Sequence, residues 1–326
     1  MGRDLGRDLG RHDAVARVGS ALLRNRTILG IQLLPEGLRN FNYKIDFDSG
    51  EPVVLRIYRT DPSAARKEIA LLEALGSSGV PVPEVLQVCE DGIEDIGPCI
   101  VTRYIEGINF RQLKRTREMD AVAEAAYSIG ETLALVGTSR VYERCAESDA
   151  LMREPFLKTP NAICEAIDTS LKSPVLAGRL DGLVQERLHL LASCYRDQLC
   201  ELQGQIRLVH GDFGNRNVLV SRCDTGRGSG RWRAAAIIDW EFAFAGPPLF
   251  DIGSFLRYEA PGAGLREPYF SKGYMDAGGI LPENWRRLAE VVDLVKQLAA
   301  LADEELPDAV VAEIGGLVCR VAEEPL

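Results

Sequence analysis

Histidine is scarce in this 326-residue chain, three residues in all, and no two of its eight cysteines form a C-x-x-C pair. A zinc site of the usual kind is thereby excluded. The cysteines (Cys89, Cys99, Cys145, Cys164, Cys194, Cys200, Cys223 and Cys319) stand at irregular spacings and read as buried thiols in a reducing compartment. Long apolar runs are missing too. The most apolar stretch, residues 234–245, is broken by Asp239 and Glu241, well short of the ~18 residues of a membrane span. The opening repeat, Gly2-Arg3-Asp4-Leu5 then Gly6-Arg7-Asp8-Leu9, lacks the apolar core of a signal peptide. It also has Gly6 where a myristoylation signal needs Ser or Thr. These absences predict a cytoplasmic protein with no membrane partner. Positive charge is in deficit, 38 Lys and Arg against 48 Asp and Glu for a net charge of −10. That balance disfavours nucleic acid, whose phosphates require a basic face, and suits a neutral or cationic ligand.

What is present is an ordinary globular composition, 46% hydrophobic, long enough for two lobes. Residues 28–34, 42–47 and 52–58 read as strands, the last two flanking the turn Asp48-Ser49-Gly50. Asp61-Pro62 then opens a helix, with Ala65, Ile69, Leu72 and Leu75 at helical spacing up to Gly76. Val80-Pro81-Val82-Pro83 is extended, because each proline disfavours a helical predecessor. Residues 99–104 supply a further strand. Beyond Gly107 the periods become helical, at Val122, Ala126, Ile129, Leu133 and Val136 and again at Val184, Leu188, Leu191 and Tyr195. Short strands at 207–210, 218–221 and 235–239 interrupt the helices, and the Gly/Arg/Ser-rich residues 224–230 read as a hairpin tip. Sheet first and helices afterwards predicts an α+β fold. The expected division is a polar N-terminal segment (1–27), an N-lobe of small antiparallel sheet plus one helix (28–105), and a larger, mainly helical C-lobe (106–326).

The chemistry concentrates in His210-Gly211-Asp212-Phe213-Gly214-Asn215-Arg216-Asn217, a polar loop between two strands, and in Ile237-Ile238-Asp239-Trp240-Glu241, where an apolar strand ends on a carboxylate. The loop offers a carboxylate and, five residues on, an amide. Phosphoryl transfer needs an acid to take or orient the acceptor proton, and hard oxygen donors for magnesium. As turn and cap residues Asp212, Asn217 and Asp239 are each unremarked singly, but their joint order and spacing call for more.

His210-Gly211-Asp212 with Asn217, followed by Ile238-Asp239-Trp240-Glu241, resembles the aminoglycoside phosphotransferase and choline kinase superfamily, relatives of protein kinases, over roughly residues 30 to 295. The resemblance implies a bilobal protein-kinase-like fold, Asp212 as catalytic base, Asn217 and Asp239 as Mg2+ ligands, and His210 and Asp251 as supports of the loop. It also implies that the N-lobe holds ATP or GTP. Arg56, on one strand face with Val54 and Tyr58, would stand where kinases usually place a phosphate-binding lysine, paired with Glu68 on the following helix; the alternative is a solvated arginine. Gly37 and Asn40 occupy the place of the phosphate-covering loop, with one glycine where protein kinases have three. Thr102-Arg103-Tyr104-Ile105 resembles the hinge that binds adenine through the Arg103 carbonyl and the Ile105 N–H. No A-P-E motif is present, which disfavours protein substrates. The expected acceptor is a hydroxyl on an aminoglycoside-type antibiotic, or on a choline-like, homoserine-like or sugar metabolite; a nucleotide-binding pseudokinase is the reading from another class. Glu241 and Glu259 are candidates to face the acceptor, and Asp303, Glu304, Glu305 and Asp308 either line an acidic cleft or form a solvated face.

Overall fold

The computed structural model describes residues 15–19, 26–34, 40–59, 62–92, 96–142, 159, 161–223, 230–259, 262 and 264–325. Gly37, Asp61, Cys145, the opening repeat and residues 224–229 of the expected hairpin tip lie outside them. The chain begins with β1 (Ile28–Leu33), β2 (Phe41–Phe47) and β3 (Val53–Ile57), then α1 (Pro62–Gly76), β4 (Val85–Cys89) and β5 (Cys99–Arg103). The strands form one antiparallel sheet in the order β1-β2-β3-β5-β4. Alternation sorts the side chains of β3: Val53, Leu55 and Ile57 join Tyr43, Ile45 and Val101 in the core of one sheet face, and Tyr58 packs into the main core with Leu71, Leu72 and Leu75 of α1.

Next come β6 (Ile108–Asn109), α2 (Phe110–Thr116) and α3 (Met119–Thr138), then α4 (Ala162–Leu171), α5 (Pro174–Arg179), α6 (Gly182–Cys194) and α7 (Arg196–Glu201). Asn109 starts α2 through a capping box: its Oδ1 accepts from the Gln112 N–H at 2.9 Å, and Gln112 Oε1 accepts from the Asn109 N–H at 3.0 Å. The strands β7 (Arg207–Val209), β8 (Val218–Cys223), β9 (Arg231–Ile237) and β10 (Phe244–Gly246) follow, then α8 (Leu249–Leu256), α9 (Tyr269–Asp276), α10 (Trp285–Leu301) and α11 (Asp308–Glu323). The strands flanking the 211–217 loop belong to different ladders, since β7 pairs with β10 and β8 lies between β6 and β9. The 211–217 loop therefore bridges two small sheets and is fixed at both ends. Beneath it Phe110, Phe213, Phe255 and Phe270 pack with ring centroids 4.7 to 5.7 Å apart, giving the loop an apolar, rigid floor.

Two glycines set the approach of backbones at the site. Gly211 has φ +80°, and a Cβ there would collide with the Phe242 carbonyl. Gly253 on α8 faces α10 so closely that a Cβ would collide with the Ala289 carbonyl. The cysteines depart from expectation in part. Cys99 and Cys164 are buried, but Cys194 and Cys223, at the solvent-facing ends of α6 and β8, are exposed. Among the described residues no helix is long and apolar enough to cross a membrane.

Candidate active site

Asp251, fully buried on α8, accepts the His210 N–H at 2.7 Å and the Gly211 N–H at 3.1 Å. Burial pushes its carboxyl up to about 7 against the opposing pull of those two N–H groups. His210 is also fully buried. Its Nδ1 accepts the Asp212 N–H at 3.1 Å, so its Nε2 carries the proton and donates to the Ile238 carbonyl at 2.9 Å. Burial holds this imidazole below its ordinary pKa, consistent with a neutral tautomer fixed at both nitrogens. One side chain thus ties the loop carrying Asp212 to the strand end preceding Asp239.

Asp212 is half exposed. The Asn217 Nδ2 donates to both its carbonyl and its Oδ2, each at 2.9 Å. That geometry occupies the amide nitrogen and leaves the Asn217 oxygen as a free donor atom for a hard cation. The Ile238 N–H donates to the Asn217 carbonyl at 2.9 Å, which holds the two segments in register. Asp239 sits in the left-handed region, φ 71°, an uncommon conformation for a non-glycine residue that turns its carboxylate out of the strand. Although Asp212-Phe213-Gly214 spells D-F-G, it lies in this loop with Phe213 buried, and the strand-end carboxylate is Asp239.

Arg56 is not a solvated arginine. It is nine-tenths buried, with one guanidinium nitrogen 2.5 Å from Asp239 Oδ1 and 3.6 Å from Glu241 Oε2. Its Nε lies 3.1 Å from Glu68 Oε2, yet that N–H is not aimed at the oxygen, so the contact is one of charge rather than a hydrogen bond. Glu68 also accepts from the Tyr58 hydroxyl at 2.7 Å and from the Trp240 N–H at 3.3 Å. Burial raises its carboxyl, and Arg56 opposes that rise. The arginine carries the charge of three carboxylates at once, and a single guanidinium cannot neutralise them; a divalent cation on the Asp239 side fits this set. Among the described residues no cluster of three or more His, Cys, Asp or Glu could hold a metal by itself. The available donors, Asn217 and Asp239, suit an ion that completes its shell with phosphate and water.

The remaining predicted residues fall in different places. Asn40 is buried and donates to Glu241 Oε2 at 2.8 Å, while Lys67 Nζ donates to the Glu241 carbonyl at 3.1 Å. Glu241 thereby belongs to the Arg56 cluster and not to an acceptor wall. Arg103 is exposed at the end of β5, its side chain paired with Glu84 at 2.8 Å and with Glu51, and Ile105 follows half-buried. Glu259 contradicts the substrate expectation. It is buried, with Oε1 accepting the Leu265 and Arg266 N–H groups at 2.9 and 2.8 Å and Oε2 paired with Arg266 at 2.5 Å, so its carboxylate is saturated from within. Asp303, Glu304 and Glu305 are exposed on the turn between α10 and α11, where Arg179 holds the Leu301 and Asp303 carbonyls, and Asp308 is exposed at the start of α11. Lys296 was missed by sequence reasoning. From α10 its Nζ donates to the Gly211 carbonyl and stands 3.5 Å from Asp212 Oδ1 and 3.4 Å from Ser254 Oγ. One lysine on an amphipathic helix carries no motif that could have marked it.

A loop carboxylate bound to the amide of the same loop is thus tied, through His210 and the Ile238–Asn217 bond, to a strand end whose carboxylate pairs with the buried Arg56. The chain belongs to the phosphotransferase enzyme family, whose model matches residues 30–291. Among solved structures it is similar to the GDP and kanamycin complex of APH(2")-IIIa, with a TM-score of 0.73 and 18% identity over 95% of this chain and 99% of that one. It is also similar to the choline kinase LicA of Streptococcus pneumoniae, with a TM-score of 0.63 and 15% identity over 96% and 99%. Among curated proteins, acyl-CoA dehydrogenase family member 10 of Mus musculus is 26% identical over 199 residues, 61% of this chain. The match spans only 17% of that protein's own length.

Proposed function

We propose that the protein transfers the γ-phosphate of ATP or GTP to a hydroxyl of a small molecule in a magnesium-dependent reaction. The observation that carries the reading is the convergence of Asp212, Asn217 and Asp239, locked by the Asn217 amide on Asp212 and the Ile238 N–H on Asn217. In this reading the N-lobe (28–105) holds the nucleotide and the C-lobe (106–326) the acceptor. Asn217 and Asp239 would hold Mg2+, which when bound neutralises phosphate oxygens. Arg56, kept in place by Glu68, presents its guanidinium to the phosphates; the Arg103 carbonyl and Ile105 N–H are assigned to the adenine. Asp212, anchored by its own loop and half open to solvent, orients the acceptor hydroxyl and takes its proton. Asp251 and His210 hold the loop and touch no reactant. The similarity to a kanamycin complex and to a choline kinase supports a small hydroxylated acceptor without choosing an antibiotic over a metabolite. The intact base and metal donors favour an enzyme over a pseudokinase.

Titration calorimetry of ATP and GTP with and without magnesium tests the reading. Wild type should bind nucleotide only weakly without the metal, and Asp239→Ala should lose the magnesium-dependent gain; Asn217→Ala should lose part of it. Equal, metal-independent binding in wild type and Asp239→Ala would contradict it.

A further inference from the structure

The acceptor side of Asp212 is cationic. Lys296 Nζ is bound to two neutral oxygens, the Gly211 carbonyl and Ser254 Oγ, and stands 3.5 Å from Oδ1 of Asp212, the proposed base. The carboxylates around it are already engaged. Asp251 is held by two backbone N–H groups, and Asp293 is gripped by Arg257 through two bonds of 2.7 Å and by Gln297 at 2.8 Å. Beside this point a small pocket between α8, α10 and α11 is lined by three arginines, Arg257, Arg286 and Arg320, and by four acids, Glu259, Glu290, Asp293 and Glu324, while Lys296 itself lies outside its lining. Its Glu290 and Glu324 are drawn to Arg287 at 3.1 and 3.3 Å. Arg320 donates to the Arg257 carbonyl at 2.9 Å and Arg286 to the Glu259 carbonyl at 3.1 Å, both neutral acceptors. The Arg286 Nε is buried without a hydrogen-bond partner, 3.9 Å from Glu290.

Resting on the phosphotransfer reading, we infer that the acceptor is an anionic alcohol, a hydroxycarboxylate whose hydroxyl lies on Asp212 while its carboxylate is held by Lys296. A polyamine sugar would bring ammonium groups against Lys296, where the neighbouring described carboxylates Asp251 and Asp293 are already engaged, and would be repelled. A carboxylate meets a charge-assisted donor already fixed by two neutral contacts. The transfer balances simply. The bond from the γ-phosphorus to the β–γ bridging oxygen breaks, one forms to the acceptor oxygen, the hydroxyl proton goes to Asp212, and the nucleoside diphosphate leaves with the bridging electrons.

The test is ADP release with magnesium and ATP on a series of linear hydroxycarboxylates of two to six carbons, their primary amides, kanamycin and choline. The amide keeps the hydroxyl and removes the charge. At least one acid should exceed its amide in kcat/KM by about 10- to 100-fold, the worth of one charge-assisted bond, and kanamycin and choline should be poor acceptors. Lys296→Met should collapse the acid-to-amide ratio about tenfold or more, and Lys296→Arg should largely preserve it; a lysine that only positions the loop would lower both substrates and leave the ratio alone. Amides matching acids, preferential use of kanamycin or choline, an unchanged ratio in Lys296→Met, or no acid turned over at tens of millimolar would each overturn the inference. Phosphorylation of kanamycin, choline or an amide in this panel would overturn the inference while leaving the phosphotransfer reading standing, whereas failure of every compound to accept phosphate, or loss of metal-dependent nucleotide binding on the same preparation, would count against the phosphotransfer reading itself.

Discussion

Replacing Arg56 by methionine removes the one cation shared by Glu68, Asp239 and Glu241 while preserving most of the side-chain volume. Breaking a buried ion pair from one side costs about 3–5 kcal/mol, because the stranded charge stays desolvated. Glu68 is the stranded charge. Its folded-state carboxyl is already raised by burial, and without Arg56 it rises further. A group whose folded pKa lies above its unfolded value contributes stability at low pH that is lost as pH rises. The loss in Arg56→Met should therefore be larger at pH 8 than at pH 5, because protonation of Glu68 relieves the stranded charge, by at most about 1.36 kcal/mol per pH unit. Adding Glu68→Gln, which keeps acceptor and donor atoms near the Tyr58 hydroxyl and the Trp240 N–H, should recover at least half of the loss at pH 8. Urea denaturation of the three variants and wild type at both pH values measures this, read as midpoints at constant slope. In the same series the nucleotide KM should rise in Arg56→Met and stay near wild type in Arg56→Lys. An Arg56→Met protein within about 0.5 kcal/mol of wild type at pH 8, the range of an ordinary surface substitution, would refute the buried-pair account.

Asp251→Asn should reduce kcat by loosening the loop, and the stability gap between wild type and variant should narrow as pH rises from 4 to 8. The sign follows from a folded carboxyl raised to about 7, whose contribution is present at low pH and lost through that value; thermal melts across the range check it, and a gap that widens would contradict it. Gly253→Ala drives a methyl group into the Ala289 carbonyl and should cost about 1–3 kcal/mol, with a lowered kcat because α10 carries Lys296; an unaltered melting temperature would contradict it.

The strands and helices with clear periods were legible in the sequence: β2, β3, β5, α1, α3 and α6 lie where alternation or helical spacing placed them. β4 was not, because it follows two prolines and its residues are partly exposed, so no alternation marks it. Two- and three-residue strands such as β6 and β10 exist through their partners and have no period of their own. Within the site, residues whose spacing is local, His210 to Asn217 and Asp239, could be read from the loop and the strand end. Contacts between distant segments could not. Glu241 reaches Arg56 across 185 residues and Lys296 reaches Gly211 across 85. The Glu259 expectation failed for the opposite reason, since nothing local told an acid facing a cleft from one saturated by the turn six to eight residues on.

The central claim is that Asp212 serves as the base of phosphoryl transfer, and Asp212→Asn tests it most directly. The substitution is nearly isosteric and leaves Asp239, Asn217 and Arg56 untouched. Removing a positioned base costs about 10² to 10⁴ in rate, so with the fastest acceptor of the panel kcat should fall by that factor while magnesium–nucleotide affinity and melting temperature stay near wild type. A folded Asp212→Asn protein that phosphorylates the acceptor at the wild-type rate would contradict the claim.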